Sequence, residues 1–219
     1  MKKNVLVMFA LLTVFCACNS KKTEGTINYS VEYLLPDSLQ QYAQYLPKTA
    51  IVYFKGDSTI SIQEAPEEAT SVITDSKTGF MRALLKSTTK KQFYAVDYDK
   101  AAQAEELAAI PSYTFTKTND HKTIAGYDAV RYILKEKLTN QAGEAWFTKD
   151  VAIIPNSLTS SLDSTLGVPL SFSMKQNGAV IKTTVTQIKF EPVPAGAFST
   201  PKGYEFLTPK QFKDMTGGN

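Results

Sequence analysis

Histidine is almost missing from this 219-residue chain: His121 is the only one. Cysteine occurs twice, as Cys16 and Cys18, inside one short N-terminal segment. Zinc sites of the usual Cys/His kind need three or four such ligands, and the chain cannot supply them. A Ser-His-Asp triad would have to recruit His121, and no Gly-x-Ser-x-Gly elbow accompanies it. A disulfide framework is equally out of reach. Charge of one sign is lacking too: 24 Lys and Arg face 21 Asp and Glu, for a net +3, so no basic excess favours nucleic acid. There is no glycine-rich phosphate loop and no EF-hand-like acidic spacing. The expectation is a non-enzymatic protein with no cofactor and no metal.

What is present begins at the N-terminus. Met1-Lys2-Lys3 is a small positive region, and Val5 to Ala17 is apolar and uncharged. Its thirteen residues make about 20 Å of helix against a hydrocarbon core of ~30 Å, so residues 1–17 read as a signal peptide rather than a permanent span. The segment closes on Phe15-Cys16-Ala17-Cys18, which resembles a bacterial lipobox, with Phe15 and Cys16 as departures from the commonest pattern. That resemblance implies that Cys18 becomes the lipidated N-terminus, and that two or three acyl chains tie the protein to a membrane. An ordinary secretory signal cleaved near Ala17 is the plainer alternative.

Eleven tyrosines and twelve phenylalanines, with many Thr and Ser, suit pleated and half-buried surfaces. Thr26 to Tyr33 alternates, with Ile27, Tyr29, Val31 and Tyr33 on one face. Asp37 is positioned to cap a helix over 38–46, with Leu39, Tyr42, Ala43 and Leu46 as its apolar stripe. Hairpins follow over 49–63 and 71–87, and another strand over 91–98. Lys100 to Ile110 reads as a helix capped by Asp99. Strands are expected at 113–118, 127–137, 144–148, 170–176 and 179–190, the last pair joined by the hairpin signal Asn177-Gly178. Asn156 is set to cap a helix over 156–166, and Pro209–Met215 can form a short helix. The fold class expected is mainly β (α+β): a single curved antiparallel sheet or half-open β-barrel, with about three short helices packed on the concave face. The domain reading is 1–17 signal peptide, 18–25 polar tether, 26–207 one β domain, and 208–219 a C-terminal tail.

Two stretches carry a resemblance, Lys122-Thr123-Ile124-Ala125-Gly126-Tyr127-Asp128-Ala129-Val130-Arg131-Tyr132 and Glu144-Ala145-Trp146-Phe147-Thr148-Lys149-Asp150. The tail Ala197-Phe198-Ser199-Thr200-Pro201-Lys202-Gly203-Tyr204 belongs with them. This combination resembles the DUF4412-type lipoproteins common in Bacteroidetes, over roughly 25–207. Those in turn look like distant relatives of lipoprotein carriers of the LolA/LolB kind. The resemblance implies a half-open barrel around helices, with an apolar cavity that takes up acyl chains, and names no catalytic residue. Gly126 is expected at a bulge or a positive φ. Tyr29, Val31, Tyr127, Val130, Tyr132, Trp146, Phe147 and Phe172 are the candidates for core or cavity lining.

Other motifs read as incidental. His121 is expected in a polar surface turn, 118–122. Ser87-Thr88-Thr89-Lys90 and Lys77-Thr78-Gly79 match fragments of the penicillin-recognising signature, in the wrong order and too close together. Asp97 and Asp99 would share a strand face, but capping already accounts for Asp99. The leading expectation is a membrane-anchored envelope lipoprotein that binds an acyl chain, a lipid or another lipoprotein. A packed structural or protein-interaction module is the alternative, with its protein partner unknown, and a hydrolase with an unrecognised site the weaker one. Surface-exported lipoproteins of Bacteroidetes resemble one another in carrying acidic residues just after the cysteine; by that comparison the basic flank Lys21-Lys22 implies the periplasmic face of the outer membrane.

Overall fold

The structure, a computed structural model, describes residues 23–216 except 177. Cys18 and the segment 1–17 lie outside the described residues. The strands are β1 (Glu24–Leu34), β2 (Thr49–Lys55), β3 (Ser58–Glu64), β4 (Glu68–Asp75), β5 (Phe80–Ser87) and β6 (Gln92–Asp97). After helix α1 (Lys100–Ala109) come β7 (Tyr113–Ile124), β8 (Tyr127–Glu136), β9 (Ala142–Thr148), β10 (Val168–Gln176) and β11 (Ala179–Lys189). A three-residue β12 (Glu205–Leu207) and helix α2 (Pro209–Thr216) complete the chain.

All twelve strands form one open sheet in the order β12-β6-β5-β4-β3-β2-β1-β11-β10-β9-β8-β7. Two hairpin meanders meet where β1 pairs with β11, from Thr26 opposite Lys189 to Leu34 opposite Val180. The mainly β architecture agrees with the sequence reading, with one difference: β12 runs parallel to β6, so the sheet is mixed. The segment before β12 crosses the sheet and returns along the edge in the direction of β6. It is held there by Arg82, which pairs with Asp97, donates to the Thr200 hydroxyl at 2.8 Å and lies 4.9 Å from the Phe206 ring. Covering an edge in this way blocks pairing with another chain.

Alternation along the strands places the apolar side chains differently in the two halves. In the β7–β11, β1 and β2 half most of them point to what we call the front, while Trp146, Ile124 and Ala129 lie on the other face. On the front Ile27, Tyr29, Val52 and Phe54 form one cluster, and Tyr132, Leu134, Phe147 and Phe172 a second, closed by Leu158 and Leu162 of the 150–167 connection. In the β3–β6 half the buried cluster lies on the back. Ile60, Ile73, Leu84 and Ala95 are buried there under Phe198 and Tyr204. The front of that half mixes small and polar residues, Thr59, Ser61, Thr74 and Ala83, with Val72, Met81, Leu85 and Val96.

Several local expectations change. Residues 37–45 form a 3-10 helix with none of its residues buried, so Leu39, Tyr42 and Ala43 make no core stripe. Pro36 occupies the cap position and Asp37 lies inside the first turn without capping it. The 156–166 stretch is two 3-10 turns, Ser157–Thr159 and Ser164–Leu166, rather than one helix. Asn156 does cap the first, with a full capping box, but Asp163 caps the second and restarts the backbone. Its hydroxyls compete with helical hydrogen bonds, as Ser160 does by donating to Ser157 O. His121 is in β7 opposite Val130, not in a turn. The polar run is absorbed by a register shift between Lys117 and His121. The β7–β8 turn itself is Ala125-Gly126, with φ of 49° and 88°. Gly126 is therefore at a positive φ, as expected, and Ala125 takes the same left-handed region without glycine's freedom.

Candidate functional site

The front of the β3–β6 half is bridged by α1 and by the 155–160 segment, and a cavity of about 520 Å³ remains between them. Val72 and Thr74 of β4 and Met81 of β5 form its floor. Gln103, Glu106, Leu107 and Ile110 come from α1 and its C-terminal cap, and Pro155, Asn156, Ser157 and Ser160 from the opposite wall. The size lies within the ~300–1,000 Å³ usual for small-molecule sites.

The space exists because of what the sequence places around it. Helix α1 is alanine-rich, KAAQAEELAA, so only Leu107 and the Ile110 cap offer large apolar side chains. No residue of α1 is buried, and Leu107 is 56% exposed. Threonine and serine on the facing strands add little volume, and the Thr59 and Thr74 hydroxyls bond each other at 2.8 Å. The helix is held by polar attachments rather than by buried packing. Asp99 accepts from Ala102 N–H at 2.8 Å as its cap. Gln103 Nε2 donates to the carbonyls of Gly79 and Tyr98, both at 2.8 Å. Lys213 of α2 pairs with Glu105 at 2.6 Å. A further cavity of about 330 Å³ lies across the C-terminal end of α1, between Tyr113, Leu158 and Met174, and shares Glu106, Ile110, Ser157 and Ser160 with the first.

Asn156 ties the cavity wall to the core. Its Oδ1 accepts from Leu158 N–H at 3.0 Å, its N–H donates to the Thr159 hydroxyl at 3.1 Å, and Nδ2 donates to the Tyr29 hydroxyl at 3.5 Å. Burial pushes the Tyr29 phenol up to about 12, against the smaller opposite effect of the Asn156 bond.

The eight residues singled out from the sequence lie elsewhere. Tyr29, Val31, Tyr132, Trp146, Phe147 and Phe172 are buried, and Tyr127 and Val130 are half-buried against the same clusters. None of the eight lines the 520 Å³ cavity. Trp146 alternates away from Ala145 and Phe147, packs with Ile124 and Ala129, and is covered by Lys122, whose Nζ is 3.9 Å from the ring centroid. Burial there lowers the Lys122 ammonium below its ordinary value. The Trp146 indole N–H has no hydrogen-bond partner among the described residues.

The fragments of apparent enzyme motifs do not converge. Lys77-Thr78-Gly79 is the turn before β5 and Ser87 ends β5, so the strand separates them by roughly 23 Å. His121 donates from Nδ1 to the Asp128 carboxylate at 3.0 Å on the surface. Asp97 is taken by Arg82 and Asp99 by the cap. Among the described residues no three His, Cys, Asp or Glu side chains gather as metal ligands. The cavity residues Gln103, Leu107, Ile110 and Asn156 were not legible as a set. Their one signal was the scarcity of large residues on α1.

Comparison with known proteins gives the following. The family described as "Domain of unknown function (DUF4412)" matches residues 35–161, more than half of the chain. The matched region contains the Lys122–Tyr132 and Glu144–Asp150 motifs and every residue that lines the 520 Å³ cavity, from Asp57 to Ser160. No curated protein matches. Among solved structures, one described as "Structure of PNGF-II in C2 space group" is similar, with a TM-score of 0.51 at 15% identity, over 89% of this chain and 33% of that one. The chain thus spans about a third of that protein's length, and at this identity the likeness concerns the fold alone.

Proposed function

The chain belongs to the DUF4412 family, and from that premise we propose that it is a non-enzymatic binding protein of the cell envelope, anchored through Cys18, that holds an acyl chain in the cavity under α1. The observation that carries the reading is the cavity itself: about 520 Å³, floored by Val72 and Met81 and roofed by Leu107, Ile110 and Pro155. The surface the cavity exposes is mainly carbon, although polar side chains stand among its lining residues, and an aliphatic chain needs no hydrogen-bonding partner. The cavity lies wholly inside the region matched by the family.

The position of the cavity supports the anchored role. Thr23 O accepts from Gly56 N–H at 2.8 Å, and the next residue, Asp57, lines the cavity. Glu24 fixes the same entry point by accepting from Lys55 Nζ and from Val193 N–H, each at 2.8 Å. Four residues lie between Cys18 and Thr23, five Cα steps with a reach of at most about 18 Å. A lipidated Cys18 would therefore keep the cavity close to one membrane surface, as an acceptor of hydrophobic cargo requires and a diffusing shuttle does not. The basic pair Lys21-Lys22 suits the periplasmic face of the outer membrane.

The test is extraction. The full chain with Cys18→Ser, purified without detergent, should carry acyl lipid detectable by mass spectrometry. Met81→Trp, which fills the cavity floor, should lose it while keeping its circular dichroism. A wild-type cavity that yields no lipid, together with a stable protein partner found by cross-linking in the envelope, would favour an interaction module instead.

A further inference from the structure

The cavity is not electrostatically neutral. Asp57, Asp75 and Glu106 are among its lining residues, and no lysine or arginine is. Asp75 is held ionised by three donors: the Ser58 hydroxyl at 2.6 Å, and the Thr78 N–H and hydroxyl at 2.8 Å each. Together they bring its carboxyl down to about 2. Asp57 sits in the β2–β3 turn beside Ser76, whose N–H and hydroxyl both donate to the Asp57 carbonyl. Glu106 projects from α1, next to the apolar Leu107. Lys213, paired with Glu105 and within electrostatic reach of Glu106, is not part of the lining.

The lining thus holds three carboxylates and no lysine or arginine, among apolar residues and the uncharged polar Thr74, Ser76, Gln103, Asn156, Ser157 and Ser160. A carboxylate or phosphate head brought there would be repelled by all three. An ammonium head would be attracted by the same groups while its chain fills the space between Val72, Met81, Leu107 and Ile110. Resting on the reading of this cavity as an acyl-chain site, we propose that its ligand is a single-chain aliphatic amphiphile with an ammonium head, and that free fatty acids and acidic lipids are rejected.

Calorimetric titration of the full chain, as Cys18→Ser, with dodecylamine, dodecanoate and neutral monododecanoyl glycerol at pH 7.5 tests this. Dodecylamine should bind about tenfold or more tightly than dodecanoate, with the glycerol ester between them. The ratio should fall toward one in the double variant Asp57→Asn with Glu106→Gln, and in 1 M salt, where the screening length is only about 3 Å. Met81→Trp should abolish binding of all three while leaving the circular dichroism unchanged. Equal binding of the amine and the carboxylate, or tighter binding of the carboxylate, overturns the head-group inference and leaves the acyl-chain site standing. Binding of none of the three overturns both. Amine binding that survives Met81→Trp places the amine on the surface and overturns the inference as well.

Discussion

Asn156 and Tyr29 are 127 residues apart in the chain, and the Asn156 side chain donates to the Tyr29 hydroxyl at 3.5 Å. That single bond joins the segment that walls the cavity to the centre of β1. Both residues are buried, so neither group can exchange the other for water.

Asn156 therefore has two roles that a substitution separates. Asn156→Asp keeps the cap acceptor but loses the donor to Tyr29, whereas Asn156→Ala loses both. Thermal or denaturant unfolding should show Asn156→Ala destabilised by about 2–3 kcal/mol, combining a lost cap with a buried phenol left alone. A double-mutant cycle of Asn156→Ala with Tyr29→Phe should give a coupling of about 1 kcal/mol. Additive effects would show that the bond is not formed in solution.

Tyr29 makes stability depend on alkaline pH. Its phenol is raised to about 12 from the ordinary 10.0 by burial, so the folded state holds its proton more tightly than the unfolded chain does. The stabilisation is complete below pH 10 and is lost as pH climbs from 10 toward 12. Two pK units correspond to about 3 kcal/mol. Denaturant midpoints measured from pH 8 to 12 should fall more steeply in the wild type than in Tyr29→Phe. Parallel curves would locate the alkaline sensitivity in other tyrosines, of which Tyr33, Tyr98, Tyr113 and Tyr204 are raised in the same direction.

Asp75 gives the opposite dependence. Hydrogen bonds, first from Ser58 and then from Thr78, bring its carboxyl down to about 2 from 3.8. A depressed acid contributes stability above its unfolded value, and that contribution disappears as pH falls from about 4 through 2. Asp75→Asn should flatten the acid limb of the stability profile in that window and shift the midpoint little in amplitude, because the group is exposed and solvent screens it.

Trp146 is the chain's only tryptophan, so its fluorescence reports one place. Beneath Lys122 and with 8% of its surface exposed, it should emit as a buried indole. Lys122→Ala should shift the emission to the red and cost about 1 kcal/mol, the scale of a cation–π contact. Trp146→Ala should cost about 3–5 kcal/mol by leaving a cavity beside Ile124 and Ala129. An unshifted emission in Lys122→Ala would mean that other atoms cover the ring.

What could be read from the sequence followed the strength of local signals. Thr26 to Tyr33 alternates without interruption, and β1 is where it was expected. Asp99 and Asn156 sit before helical turns and both cap them. Gly126 before Tyr127 marks a turn that the backbone confirms. Signals failed where tertiary structure decides. Three residues, 205–207, carry no period, and only the covered edge at β6 makes them a strand. His121 looked like a turn residue because the bulge before it is polar. The cavity was invisible for a different reason: it is defined by missing volume, on alanines of α1 and hydroxyls of β3 and β4. Attention to large aromatics leads to the core instead, where Tyr29, Phe147 and Phe172 are found.

Helix α1 links that missing volume to motion. Ten residues with none buried gain little from packing, and the attachments are the Asp99 cap, the Gln103 side chain and the Glu105–Lys213 pair. Such a helix belongs to the low-stability end of a fold and should open locally far more often than β1 or β11. Amide hydrogen exchange should therefore show 100–109 exchanging at least about a hundredfold faster than β1, a difference of about 3 kcal/mol in opening free energy. A chain bound beneath Leu107 and Ile110 would add apolar contacts only to the closed helix, so ligand should slow exchange in α1 and in 155–160 together and leave β7–β9 unchanged. Gln103→Ala removes the bonds to Gly79 and Tyr98 and should speed exchange in α1 with little change in global stability. If α1 exchanges as slowly as β1 in the free protein, the helix is packed more firmly than its exposed residues imply, and ligand must enter from the β4–β5 turn without its movement.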